Sequence, residues 1–223
     1  MASASVLKNP SGLRVVVTLT FVTGIAAMLL AVVDGLTREK IAEAQLAAKV
    51  EALSALLPAF DGNPFQAGVE LLHGAATPGA GEGDSPSFTV NGADANPASC
   101  GKKAFCIYEA QKGDVTVGFG IETWTKRGYS GLIKLLVVVD PAGVIVGVRT
   151  LEARETPGLG TKADEEPFRS QFTGKALGSY RFAVKKDDGD VEAITSATIS
   201  SRAYSTAIRD GLQALAAFKE QRQ

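Results

Sequence analysis

From Val15 to Val33 the chain reads VVVTLTFVTGIAAMLLAVV, an apolar run without a single charge. At about 1.5 Å rise per residue, roughly 19 residues of helix cover about 28 Å, close to the hydrocarbon thickness of a bilayer. The run therefore predicts a membrane helix. A cleaved signal peptide is the rival reading, since Lys8 and Arg14 precede the run. Two features favour a retained anchor. The run outlasts a usual signal core, and past Asp34 it flows into Thr37-Arg38-Glu39-Lys40-Ile41-Ala42 without a clean cleavage site. A buried core helix would normally carry a polar stripe, which is missing here.

Beyond the span, Ile41, Ala44, Ala48, Leu53 and Leu56 recur at near-helical intervals, predicting a helix over Leu36–Leu57 that Pro58 ends. Its expected role is a stalk. Gly74–Ser99 is rich in Gly, Ala, Pro, Ser and Asp and reads as a loop, with at most a short strand at Phe88-Thr89-Val90.

Strand-like text follows at Phe105–Ala110, Val115–Trp124, Ile133–Val139 and Val144–Leu151. The first two flank Lys112-Gly113-Asp114 and the last two flank Asp140-Pro141-Ala142-Gly143, both turn-like. A helix is expected over Glu165–Phe172, with short strands at Phe182–Val184 and Val191–Ile194. The last helix is expected over Ser200–Lys219, with Ala207, Ile208, Gly211, Leu212, Leu215 and Phe218 on its apolar face. The fold class is α+β: a membrane anchor (1–35), a helical stalk (36–58) and a mixed domain (59–223) containing the loop at about 74–99.

Composition narrows the chemistry. A formal net charge of −1 argues against a nucleic-acid binder. One histidine, His73, rules out a multi-histidine zinc site and leaves His-based catalysis a single residue. No metal site and no residue catalytic by itself is expected. Cys100 and Cys106 suit a loop-closing disulfide in an oxidising compartment, ahead of free thiols or a shared metal site. Lysines and arginines on both sides of the span leave its orientation open.

Three segments can carry a ligand. The run Val191-Glu192-Ala193-Ile194-Thr195-Ser196-Ala197-Thr198-Ile199-Ser200-Ser201 crowds hydroxyls and small side chains between a strand and a helix. With Thr198 or Ser200 as cap, the helix start is an anion seat, and Arg202 can neutralise a phosphate oxygen. An ordinary capped helix is the plain alternative. The loop Glu155-Thr156-Pro157-Gly158-Leu159-Gly160-Thr161 can present Leu159 to a flat ring, or be only a turn. The segment Lys126–Lys134 holds Tyr129 between Gly128 and Gly131 and follows Trp124. Its aromatics can stack on a cofactor, or it can be a strand-connecting turn.

In order and content these segments resemble the FMN-binding domain shared by the G subunit of the Rnf electron-transport complex and the C subunit of the sodium-pumping NADH:quinone reductase. The resemblance covers the anchor helix and most of Gly118–Tyr204. It rests on Gly-Tyr-x-Gly, Glu-Thr-Pro-Gly-Leu-Gly and Thr-Ser-Ala-Thr, the last similar to the attachment motif Asp-Gly-x-x-x-Ser/Thr-Gly/Ser-Ala-Thr. Ser196 stands where the family more often has Gly.

The resemblance implies FMN joined through its phosphate to Thr198 by a separate flavin transferase that uses FAD. Thr156, Gly158, Leu159 and Gly160 would line the ring, with Glu155, Tyr129, Thr195, Ser196, Ala197, Ser200 and Arg202 in support. It implies a single-pass electron carrier of the bacterial inner membrane, its flavin domain extracytoplasmic. The partners would be lipid and the other membrane and peripheral subunits of an Rnf-type ion-translocating oxidoreductase. NADH binding is not expected, because no dinucleotide fingerprint is present. The quinone-reductase subunit is the alternative within the class. A membrane-tethered, non-redox module for an anion or small molecule is the alternative outside it.

Overall fold

The computed structural model describes residues 10–66, 68–73, 88–95 and 104–222. It divides into two compact units, Met1–Gln45 and Leu46–Gln223. Helix α1 runs Pro10–Ser54. Within the first unit its large apolar side chains, including Val15, Leu19, Met28 and Val33, are exposed. Thr18, Thr20 and Thr23 turn their hydroxyls back onto carbonyls four residues earlier, at 2.8–2.9 Å. A helix of apolar surface with its hydroxyls satisfied internally suits a hydrocarbon solvent. By length and composition it is the one helix among the described residues able to cross a membrane.

The second unit is built on a six-stranded antiparallel sheet in the order β2-β1-β3-β4-β5-β6. The strands are β1 Gly68–His73, β2 Phe88–Ala95, β3 Ala104–Lys112, β4 Val115–Gly128, β5 Gly131–Val139 and β6 Ile145–Ala153. Helix α2 is a single turn at Glu166–Arg169, and α3 runs Thr198–Glu220.

Strand alternation assigns the two faces. Phe119, Ile121, Ile133, Leu135 and Val137 join Ala207, Ile208, Leu212 and Leu215 of α3 in one core. Cys106, Tyr108, Leu136 and Val138 point the other way, onto Leu53, Leu57 and Phe65. Because β5 is covered on both faces, its text from Leu135 to Val139 is apolar without alternation.

The expected stalk, Leu36–Leu57, falls across the boundary between the two units. Its last part, from Leu46, belongs to the sheet's own unit, with Leu53 fully buried. Strand glycines let it come close: a Cβ on Gly118 would lie 2.6 Å from Leu57 Cδ2, and one on Gly147 2.7 Å from Leu56 Cδ2. On this face Glu122 is fully buried, its carboxylate paired with Lys49 at 2.7 Å and with Lys134, and accepting from the Tyr108 hydroxyl at 3.3 Å.

Other boundaries moved modestly. The helix expected over Glu165–Phe172 is α2 followed by a 3-10 turn, Ser170–Phe172. The two short strands near 182–184 and 191–194 reduce to one parallel bridge, Val184 with Val191. The expected loop contains β2 within it; residues 74–87 and 96–99 lie outside the described residues, as does Cys100. Cys106 is disulfide-bonded, and the sequence holds one other cysteine, Cys100.

Candidate functional site

Three stretches of backbone meet at one end of the sheet. The first is the β4–β5 turn, where Gly131 at φ +114 closes the hairpin and leaves Tyr129 69% exposed. The second follows β6: Gly158 at φ +75 turns the chain, its N–H donating to Thr161 Oγ1 at 2.9 Å, while the Leu159 N–H returns to the Thr156 carbonyl at 3.2 Å. The third is the start of α3.

Between them lies a cleft of about 400 Å³. Tyr129 lines it from the turn, and Glu155, Thr156, Leu159 and Gly160 line it from the loop. The helix start contributes Ser196, Ala197, Thr198, Ile199 and Ser200. Tyr129, Leu159 and Ile199 are exposed apolar side chains at this cleft, at 69%, 41% and 49%. Such a rim accepts a flat aromatic ligand.

The α3 start differs from the capped helix expected. The N-cap is Ala197, no side chain caps it, and Thr198 is the first helical residue. The first-turn N–H groups of Thr198, Ile199 and Ser200 therefore have no intrahelical acceptor, next to the Thr198 hydroxyl. That is a seat for one negative charge. Ser196 sits at φ +66, a left-handed conformation that favours Gly. This gives a physical reason for Gly at this motif position, where Ser196 bears the strain.

Ser201, absent from the sequence-based set, holds that turn. Its buried hydroxyl accepts the Ile194 N–H at 2.9 Å and donates to the Ala197 carbonyl at 3.0 Å. A Ser three residues into a helix carries no sequence signal that separates this role from ordinary helix content.

Glu155 is 7% exposed. Its Oε2 accepts from the Ser200 hydroxyl at 2.6 Å and its Oε1 from the Ser130 N–H at 3.3 Å. Gly128 and Gly160 make room for it: a Cβ on either would fall 2.5 Å from a carboxylate oxygen. Gly128 thus leaves the space that Glu155 fills.

Gly158, Thr195 and Arg202 do not line the cleft. Arg202 binds Asp187 with two hydrogen bonds, at 2.5 and 2.8 Å, and holds that carboxyl below its ordinary pKa. Trp124 shares a sheet face with Glu122, opposite Thr123, whose hydroxyl donates to the Ala207 carbonyl of α3 at 2.7 Å. That parity removes Trp124 from a stacking role in the cleft. The described residues contain no metal-ligand cluster.

Fold and site together define a helix-anchored α+β domain with a cleft for a flat ligand bearing an anionic group. Residues 128–213, which contain every residue lining the cleft, match the family model described as FMN-binding domain. The G subunit of the ion-translocating oxidoreductase complex from Shewanella baltica is 44% identical over 110 residues, 47% of this chain and 52% of that protein. The G subunit of the proton-translocating ferredoxin:NAD(+) oxidoreductase complex from Clostridium ljungdahlii is 33% identical over 138 residues, 61% of this chain and 73% of that one. The crystal structure of Shewanella oneidensis NqrC aligns with TM-score 0.44 and 22% identity, over 53% of this chain and 61% of that one. The chain spans about half the length of the first curated relatives it matches. It belongs to the family of G subunits of ion-translocating oxidoreductase complexes.

Proposed function

We propose that this chain is a membrane-anchored flavoprotein that carries FMN covalently on Thr198 and relays electrons within an Rnf-type ion-translocating oxidoreductase. The observation that carries the reading is the meeting of Thr198, at an uncapped helix start, with the Thr156–Gly160 loop and Tyr129 around one cleft. The residues fit FMN on physical grounds. Tyr129, Leu159 and Ile199 supply apolar surface for the ring, and the first turn of α3 supplies N–H donors for a phosphate diester.

Attachment exchanges one phosphorus–oxygen bond for another. The Thr198 oxygen bonds to the FMN phosphorus of FAD, the pyrophosphate bond breaks, and AMP leaves with the proton of the hydroxyl. A Thr hydroxyl needs an activating base, which a separate flavin transferase supplies. Bound flavin provides the electron-accepting and electron-donating chemistry. The chain's own part is to tether the phosphate, hold the loop against the ring and exclude water from one face.

The length and apolarity of α1 support anchoring as a single pass in a bacterial inner membrane. The disulfide at Cys106 supports an oxidising, extracytoplasmic side for the domain. Partners are lipid and the other membrane and peripheral subunits of the complex. Intact-mass measurement tests the core of this reading. Chain coexpressed with an active flavin transferase gains the mass of FMN less one water, and an unmodified chain from such cells favours a non-redox binding module.

A further inference from the structure

Glu155 is a carboxylate buried without an ion pair among the described residues. Two hydrogen-bond donors reach it, Ser200 Oγ and Ser130 N, lying 45 and 25 residues away in sequence. Burying such a charge costs free energy that an apolar side chain of similar size would not. Stability is therefore a poor account of this residue, and its placement is a better one. Glu155 belongs to the loop, Ser130 to the β4–β5 turn and Ser200 to the first turn of α3, so one carboxylate touches all three walls of the cleft. The glycines beside it are part of the same arrangement. Any side chain on Gly128 or Gly160 would push the carboxylate out of place.

We propose that Glu155 is the positioning residue of this site: by pinning the three walls to one another it holds the α3 start in the geometry in which Thr198 accepts the flavin phosphate. The proposal rests on Thr198 being the attachment residue.

The test uses the full chain in detergent micelles with a flavin transferase and FAD, following the initial growth of the fluorescent protein band. Glu155→Ala is expected to slow incorporation roughly tenfold or more, the equivalent of losing about one charge-assisted hydrogen bond. Glu155→Gln is expected to stay within about threefold of wild type. Its amide oxygen can accept from Ser130 N–H and its amide nitrogen can donate to Ser200 Oγ, preserving both ties without the charge. Amide hydrogen exchange on the flavin-free chain gives a second readout: the Ser130 N–H exchanges faster in Glu155→Ala and not in Glu155→Gln.

Should Glu155→Ala fail to fold, Ser200→Ala carries the test by cutting one tie only. It slows incorporation several-fold and leaves Ser130 exchange unchanged. Wild-type incorporation in Glu155→Ala, or in Ser200→Ala where that variant stands in, overturns the proposal. So does Glu155→Gln as slow as Glu155→Ala, because the charge and not the ties would then matter. A wild-type chain that takes up no flavin overturns the Thr198 reading instead, and Ser130 exchange still decides whether Glu155 pins the walls.

Discussion

Gly160→Ala probes the packing of the cleft most sharply. The new Cβ would lie 2.5 Å from Glu155 Oε2, 2.7 Å from Glu155 Cβ and 2.8 Å from Ser200 Oγ. The carboxylate end can swing aside, but Glu155 Cβ is fixed by its own backbone, so the loop or α3 must shift. Overpacking of this kind costs about 1–3 kcal/mol. A shift that also breaks the Ser200–Glu155 hydrogen bond adds about 1.5 kcal/mol. A total near 3 kcal/mol lowers the melting temperature of a domain of this size by roughly 6–12 °C. Gly178→Ala is the control. Gly178 sits at φ +82 with open space around it, so only backbone strain of about 1 kcal/mol applies. Thermal unfolding of the full chain in detergent, followed by the fluorescence of Trp124, the single tryptophan, separates the two. Gly160→Ala should also lose flavin incorporation, while Gly178→Ala should keep it. A Gly160→Ala variant melting within about 1 °C of wild type would refute the packing described at the cleft.

Other consequences are equally open to measurement. Ser201→Ala leaves the Ile194 N–H without its side-chain acceptor, costing about 1–3 kcal/mol, and its amide should exchange faster than in wild type. Lys49→Met strips one cation from buried Glu122 and should destabilise by up to about 3 kcal/mol in denaturant titrations, Lys134 still facing the carboxylate; an unchanged midpoint contradicts the pairing. Asp187 and Asp190 have lowered pKa values, set first by hydrogen bonds from Arg202 and Arg181. Their contribution is therefore present above the unfolded carboxylate pKa of about 3.9 and lost as pH falls below it. The double variant Asp187→Asn with Asp190→Asn should flatten that acid limb. Cys106, disulfide-bonded, should resist maleimide in denatured, unreduced protein and react after reduction.

What could be read from the sequence was whatever local physics controls. The apolar span, the β4–β5 and β5–β6 hairpins and the apolar face of α3 follow from periodicity and turn residues. The loop and the α3 start were singled out by small and hydroxylated residues, and the cleft brings them together. Long-range pairings escaped. The pairing of Arg202 with Asp187, fifteen residues earlier, has no local signal in the sequence. Gly118 and Gly147 admit Leu57 and Leu56 just past α1, a close approach that nothing in their neighbours' sequence announces. Trp124 shows a signal that was available: counting alternate residues from Ile121 and Thr123 places it on the other face.

The central claim is the single covalent tether. The wild-type chain and Thr198→Val, each coexpressed with a flavin transferase, are separated on a denaturing gel and viewed under ultraviolet light before staining. A fluorescent band in wild type and none in Thr198→Val, at equal protein, is the predicted result. A fluorescent Thr198→Val band of wild-type intensity would contradict the account.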